Sequence, residues 1–174
     1  MLNREPESLI PFIKKLEYYL SAKDRSKASV STSDVAWQID HSLKVFNLVC
    51  ETLLKSNPED YKSNFNTWRL VLFTIGYFPR GKVKAPKSVR PPEIITITDL
   101  NGQIQLTYQN IKRLKTADKK AHFKHFIFGV LQKKTIRFLQ LHTNHHLKII
   151  KDILKQKTLS VSRKGSLYVK SYSS

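Results

Sequence analysis

The stretch "LQKKTIRFLQLHTNHHLKIIKDILKQ", residues 131–156, decides the fold of this chain, because apolar residues recur along it at helical spacing. With about 100° between successive helical residues, one group of side chains falls within roughly 40° of a single line. This group contains Leu131, Thr135, Phe138, His142, His146, Ile149 and Ile153. The stretch therefore predicts a long helix that faces a core, with two histidines one turn apart in its apolar stripe.

Segments nearer the N-terminus show helical patterns as well. Residues 6–22 carry an apolar stripe, and residues 34–56 follow a cap at Ser33 or Asp34. The stretch "NPED" has the features of a helix start, since Asn57 can cap and Pro58 fits a first turn. The helix that it opens is expected to end near residues 76–79. Its predicted inward stripe consists of Phe65, Trp68, Leu72 and Ile75.

The middle of the chain has two interpretations. Residues 79–92 form an extended loop with four prolines, five basic residues and no acid. The following "IITITDLNGQIQLTY" alternates and contains Asn-Gly, which indicates a hairpin at 94–108. A helical stripe from a Thr98 cap favours a helix at 98–117 instead, despite the cost of about 1 kcal/mol for an internal glycine. The stripe consists of Leu100, Ile104, Ile111 and Leu114.

These patterns predict an all-α protein of about five helices, with antiparallel neighbours in a bundle and one long basic loop. The length of 174 residues suits a single domain, which we expect over residues 1–157. Residues 158–174 form a basic C-terminal tail. No apolar run is of signal-peptide or membrane-span type, and the single cysteine, Cys50, cannot form an internal disulfide. A reducing, cytoplasmic setting without a membrane partner is therefore expected.

The charge is strongly positive and unevenly distributed. The net charge is +18, and residues 61–174 hold 23 of the 31 basic residues but only four acids. Such a field attracts anions of any kind, including nucleic acid or a small acidic substrate. It equally fits a solvated basic surface that keeps the chain soluble, because charge alone identifies no partner.

The histidines form a candidate metal site. Two imidazoles at i and i+4, here His142 and His146, can share a metal ion if another helix supplies a third ligand. His41 is such a ligand, since it shares its face of the second helix with Trp37, Val45 and Leu48, whereas Cys50 points to the opposite side. Three neutral nitrogens suit zinc or nickel better than magnesium or calcium, which prefer oxygen ligands. Core or surface histidines without metal remain the alternative.

Other residues are candidates for supporting roles. His145 lies about 60° to the side of the stripe and is expected to contact substrate or solvent. His125, in "AHFKHFIFG", is expected to support the ligands or to contact the substrate, as is His122. Arg80 and Lys82 of the basic loop could hold an acidic substrate if the loop folds over the mouth of the bundle.

The order of these motifs resembles a known family. A histidine early in the second helix, then "HFIFG" at 125–129 and "HTNHHLKII" at 142–150, is similar to the DinB-like superfamily, also called YfiT-like metal-dependent hydrolases. The loop "FPRGKVKAP" also resembles a family feature. Phe126 departs from the family's usual proline, and neither the tail nor the strong basicity belongs to the family pattern.

The resemblance implies a DinB-like four-helix bundle with an extra short helix and a divalent metal on His41, His142 and His146. It also implies a hydrolase or a thiol-dependent transferase that acts on a small molecule, because the superfamily includes such enzymes. The fold does not fix the chemistry. A nucleic-acid-binding protein and a metal-stabilised bundle without catalysis are the alternatives. A monomer or a homodimer is expected.

Overall fold

A computed structural model of the chain describes residues 5–81, 84–132 and 134–155. Within these ranges the protein is mostly helical, with five α-helices and one two-stranded antiparallel sheet, so the all-α prediction is confirmed. No helix in the described ranges is long and apolar enough to cross a membrane. The elements are α1 (Ile10–Tyr18), α2 (Val35–Lys55), α3 (Thr67–Ile75), α4 (Ile97–Arg113), β1 (Phe123–His125), β2 (Gly129–Leu131) and α5 (Thr135–Leu154).

Four of the helices surround one core. α2 packs against both α4 and α5, α1 packs against the same two helices, and the short α3 lies on the outside against α5. The core is apolar and contains fully buried side chains from each of the four, such as Ile13, Phe46, Ile104 and Phe138. Burying one such side chain stabilises the fold by about 1.5–3 kcal/mol. The packing of α2 against α5 matters most for function, because it joins the two helices that carry the predicted ligands.

Two of the predicted helices begin at well-defined caps. Asp34 caps α2 by accepting a hydrogen bond from the backbone N–H of Trp37 at 2.8 Å, as predicted. α4 replaces the alternative hairpin, but its cap is Thr96 rather than Thr98. Thr96 and Asp99 form a capping box, in which each side chain accepts from the other residue's backbone N–H. The predicted stripe of α4 is buried, and the helix ends at Arg113, before the expected residue 117.

The prediction that a helix begins at Asn57 is wrong. Asn57 caps only a 3-10 turn over Pro58–Asp60, and the chain then runs without helix up to Asn66, which caps α3. The side chains of Asn64 and Asn66 explain the difference. Asn66 donates to the carbonyl oxygen of Ile127 at 2.9 Å, and Asn64 accepts from the N–H of Val130 at 3.1 Å. These bonds to the β-hairpin compete with helical hydrogen bonds in this segment.

The predicted inward stripe of this region is also wrong. Phe65, Trp68 and Ile75 are 81%, 65% and 65% exposed, and only Leu72 of the predicted stripe is partly buried. α3 instead buries Phe73, which packs edge-to-face on Phe128 with ring centroids 5.3 Å apart. Leu48, expected on the inward face of α2, is likewise exposed. The helix α3 thus presents a different side to the core than its sequence predicted.

The hairpin β1–β2 shortens the last helix. Leu131, expected on the α5 stripe, pairs with Phe123 in the sheet, and α5 begins only at Thr135. Gly129 opens the second strand with a φ of 66°, and the Asn64 side-chain amide occupies the place that a Cβ would take. The positive φ favours glycine at this position, and any larger residue would also displace the Asn64 side chain. The predicted tail at 158–174 lies outside the described residues, and the domain boundary at 157 stays a prediction.

Candidate metal centre

The packing of α2 on α5 brings the three predicted ligand histidines together. One ring nitrogen of each of His41, His142 and His146 lies within 4.8 Å of the other two. The ring centroids are 5.3 Å apart for His41 and His142, 4.9 Å for His41 and His146, and 4.7 Å for His142 and His146. Three nitrogens at this spacing can hold a single metal ion.

The ring of His41 is fixed on two sides. Its Nδ1 lies 2.8 Å from the carbonyl oxygen of Val89, and Trp37 stacks on the ring at 4.9 Å and 23°. Because a carbonyl oxygen only accepts, Nδ1 carries the proton and Nε2 keeps its lone pair. This arrangement is typical of a metal-binding histidine, whose second nitrogen donates to a protein acceptor that sets the tautomer and the ring orientation.

His146 has an equivalent partner. Its Nδ1 lies 2.7 Å from the Oε1 of Gln38, one turn before His41 on α2. Gln38 is itself buried, and its amide also contacts the Ser31 hydroxyl at 3.3 Å. The amide oxygen accepts from Nδ1, so Nε2 of His146 also keeps its lone pair. Two of the three histidines therefore present Nε2 as an acceptor, and a metal ion requires such lone pairs.

Burial keeps these rings neutral. His41 and His146 are each 6% exposed. Burial lowers the pKa of His41, and it lowers the pKa of His142 and His146 well below the usual value, with the neighbouring rings adding to the effect. Neutral imidazole is the form that binds metal, so these rings are in the form that could hold a cation. His142 is the least buried of the three residues.

His145 lies beside the cluster without belonging to it. Its ring centroid is 5.0 Å from that of His146 and 6.4 Å from that of Phe78. Burial lowers the pKa of His145, a hydrogen bond with the Phe78 backbone opposes this, and the charge of Arg80 lowers it further. The loop that follows α3 therefore lies against this side of α5. Whether His145 contacts a substrate stays a prediction.

His125 lies behind Phe138, which separates it from the ligand histidines. Its Nδ1 accepts hydrogen bonds from the backbone N–H groups of Ile127 and Phe128 at 3.1 and 3.3 Å, so Nε2 carries the proton. The ring of Phe138 lies 5.0 Å from that of His125 and 5.8 Å from that of His142. Burial lowers the pKa of His125 to about 4. In this position His125 holds the tight turn between β1 and β2.

Three further predicted residues have different surroundings. Arg80 forms an ion pair with Asp152 of α5, with Nη2 and Oδ2 2.7 Å apart, which ties the loop after α3 to the last helix. Lys82 lies outside the described residues. His122 lies beside Tyr61, with ring centroids 5.6 Å apart. Cys50 is buried, which raises the pKa of its thiol, and it is not part of the histidine group. An anion-binding role for Arg80 and Lys82 stays a prediction.

The hydrogen-bond partners behind the ligands were not predicted from the sequence. Gln38 lies three residues before His41, so the two side chains are neighbours on α2, and a buried glutamine beside a candidate ligand could have been noticed. The carbonyl of Val89 had no such signal, because it belongs to the proline-rich segment between α3 and α4. Comparison of the chain with family models, with curated proteins and with solved structures found no match.

Proposed function

We propose that this chain is a metal-dependent enzyme whose centre is a single divalent ion held by His41, His142 and His146. One observation supports the proposal above all others: three ring nitrogens from two helices converge, and two of the rings are fixed from behind by Val89 and Gln38. Burying three neutral imidazoles is costly unless their polar atoms find partners. A shared cation satisfies the lone pairs that face one another.

The donor set favours particular metals. The group contains imidazoles only, without a carboxylate or a thiolate. Zinc and nickel bind such nitrogen ligands well, whereas magnesium and calcium prefer oxygen. Three protein ligands on zinc leave one position open, as in catalytic rather than structural sites.

The reaction class follows from this open position and from the motif resemblance. A divalent metal there would raise the acidity of a bound water or convert a bound thiol into a thiolate. We therefore propose a hydrolase or a thiol-dependent transferase of the DinB-like type. The arrangement of α1, α2, α4 and α5 with α3 outside supports that resemblance. The half-buried side at His142, close to His145 and Arg80, is where a small anionic substrate would enter.

A metal count tests the ligand set. The protein is prepared without affinity-column metal, stripped with a chelator, offered zinc or nickel, and analysed for metal per chain. We expect one ion for the wild type and almost none for His41→Ala, His142→Ala or His146→Ala. His145→Ala is the matched control on the same turn of α5 and should keep its ion. The ligand assignment fails if His145→Ala empties the site while His146→Ala leaves it full.

Two further assays separate the enzyme from its alternatives. The metal-loaded protein is tested on ester, amide and low-molecular-weight thiol substrates, and turnover should disappear in His142→Ala. Metal binding without turnover on all of these classes would favour the metal-stabilised bundle. Nucleic-acid binding is supported by the net charge of +18. It would appear as an affinity for DNA or RNA that falls steeply as salt rises.

A further inference from the structure

The short helix α3 carries an exposed apolar surface that the metal centre does not use. An α-helix advances about 100° per residue, so Trp68, Leu70, Val71 and Ile75 lie within roughly 160° on one side of α3. These residues are 65%, 49%, 41% and 65% exposed. One exposed aromatic residue precedes the helix, Phe65, and another follows it, Tyr77. We call the whole set the α3 face: Phe65, Trp68, Leu70, Val71, Ile75 and Tyr77.

The segment that carries the α3 face has few charged residues, which is unusual in this chain. Segment 65–77 contains a single charged residue, Arg69, although 31 of the 174 residues are basic. The guanidinium of Arg69 is directed at the β-hairpin, where it donates to the carbonyl oxygens of Phe128 at 3.1 Å and Val130 at 2.7 Å. The hydroxyl of Thr74, on the same side as Val71, donates to the carbonyl of Leu70 at 2.7 Å. The surface that remains is thus apolar.

We infer that the α3 face is the contact between two copies of this chain in a symmetric dimer. The inference does not depend on the proposed function. In a two-fold dimer the same patch of both copies meets, so any charge on the patch comes close to an identical charge on the other copy. Two chains of net charge +18 repel each other wherever lysines and arginines meet. The α3 face carries few basic groups, because Arg69 is bound to the hairpin and Lys148 of α5 lies over the ring of Tyr77, 5.8 Å from its centroid, at the end of the face. Two copies can therefore meet there with little repulsion between basic groups.

The area is sufficient for a specific contact. Side chains of this size offer roughly 150–250 Å² each, so the exposed fractions of the six residues amount to about 700 Å² per chain. A symmetric pair would bury about 1,400 Å², within the range of specific interfaces. Contiguous apolar patches of this size on the surface of a protein usually mark an interaction site.

Charge makes other occupants poorer fits. An acidic partner would be attracted to the more basic surfaces of the chain, because the α3 face offers it only Lys148, over Tyr77 at the end of the face. A helix that lies on an anionic membrane carries lysine and arginine along its polar side to reach the headgroups. α3 has only Arg69, and that side chain is bound to the hairpin.

Sedimentation equilibrium tests the dimer. At about 100 µM, above the micromolar end of affinities for interfaces of this size, the wild type should have twice the monomer mass. The monomer mass is 20.2 kDa. Trp68→Glu should weaken the dimerisation Kd at least about 30-fold, as expected for a central aromatic residue. Ile94→Glu is the matched control, because Ile94 is 78% exposed but lies outside the face, and it should leave the Kd unchanged. Added salt should strengthen the wild-type dimer by screening the repulsion between the two chains.

A second measurement avoids a charge at the interface. In Trp37→Phe the only remaining tryptophan is Trp68, whose emission should shift to shorter wavelength as the protein concentration rises through the Kd. Circular dichroism of each variant confirms that it is folded. A wild-type monomer at about 100 µM, or a dimer that Trp68→Glu leaves intact, overturns the inference. Binding of a monomeric wild type to phosphatidylcholine–phosphatidylglycerol vesicles, lost in Trp68→Glu, would also overturn it and identify a membrane surface instead.

Discussion

The metal centre and the α3 face break the usual rule of burial in opposite directions. His41 and His146 are polar rings that are each 6% exposed, whereas Trp68 and Ile75 are apolar side chains that are each 65% exposed. Burying a polar group without a partner costs free energy, and exposing a large apolar group forgoes the gain of burial. In the isolated chain each region therefore makes an unfavourable contribution to the free energy, for a different physical reason.

The difference shows what kind of partner each region needs. The histidine cluster has its rear hydrogen bonds to Val89 and Gln38, so under the proposed function its partner would be a small cation in front of the rings. On the α3 face the guanidinium of Arg69 and the hydroxyl of Thr74 have hydrogen-bond partners, so under the dimer inference its partner would be another apolar surface rather than a small ligand. The first region should respond to metal, and the second should respond to protein concentration.

The largest expected effect is stabilisation by zinc. A ligand that binds only the folded state at 1,000 times its Kd raises the free energy of unfolding by about 4 kcal/mol. We expect this gain in chemical denaturation of the chelator-stripped wild type after zinc is added, and no such gain in His146→Ala. An equal gain in His146→Ala would mean that zinc acts somewhere other than the histidine cluster.

A smaller effect, on metal affinity, should come from Gln38, which accepts the hydrogen bond from Nδ1 of His146. Gln38→Leu keeps the volume of the side chain but leaves the Nδ1–H of His146 without its acceptor, so metal affinity should fall about 10–100-fold. Gln140→Leu is the matched control, since Gln140 is a buried glutamine that donates to Ser8 at 3.0 Å. Competition titrations with a zinc chelator measure both variants. The role given to Gln38 is wrong if the two variants bind zinc equally well.

The hairpin turn should contribute to the pH dependence of stability, alongside the buried histidines of the candidate metal centre. The pKa of His125 is about 4 in the folded chain, below its ordinary 6.5, because burial disfavours the charged ring. Between pH 6.5 and 4 the unfolded chain takes up a proton that the folded chain does not, so stability is lost as the pH falls through this window.

His125→Asn tests this window. The asparagine keeps an acceptor for the backbone N–H groups of Ile127 and Phe128 but cannot titrate. Urea unfolding of metal-free protein between pH 4 and 6.5 should therefore depend less on pH by about one proton. An unchanged slope would contradict the assignment of this proton to His125.

The smallest effect is expected at the α3 face. In dilute, monomeric protein, Trp68→Ser should change the free energy of unfolding by no more than about 0.5 kcal/mol, as is usual for exposed positions. Phe73→Ala, on the buried side of the same helix, should cost about 3–5 kcal/mol. Comparable losses in the two variants, measured by urea unfolding, would mean that Trp68 packs within its own chain.

Much of the bundle and of its candidate site was determined by the sequence itself. α2, α4 and α5 are long enough for their apolar spacing to define one inward face, so the helices were predictable. Helical geometry also placed His142 and His146 one turn apart, wherever α5 packs. The shared inward direction of His41 then made a three-histidine cluster an expected result of helix packing.

Only the tertiary structure decided how α3 and the segments around it are used. The nine residues of α3 have apolar side chains on nearly every side, so helical spacing alone predicted the wrong buried face, and the packing of Phe73 on Phe128 set the actual one. The asparagines at 64 and 66 bond to a hairpin about 60 residues away, and Val89 reaches His41 from the proline-rich segment. Such contacts depend on how distant segments pack together, whereas the periodicity of a helix is a local property of the chain.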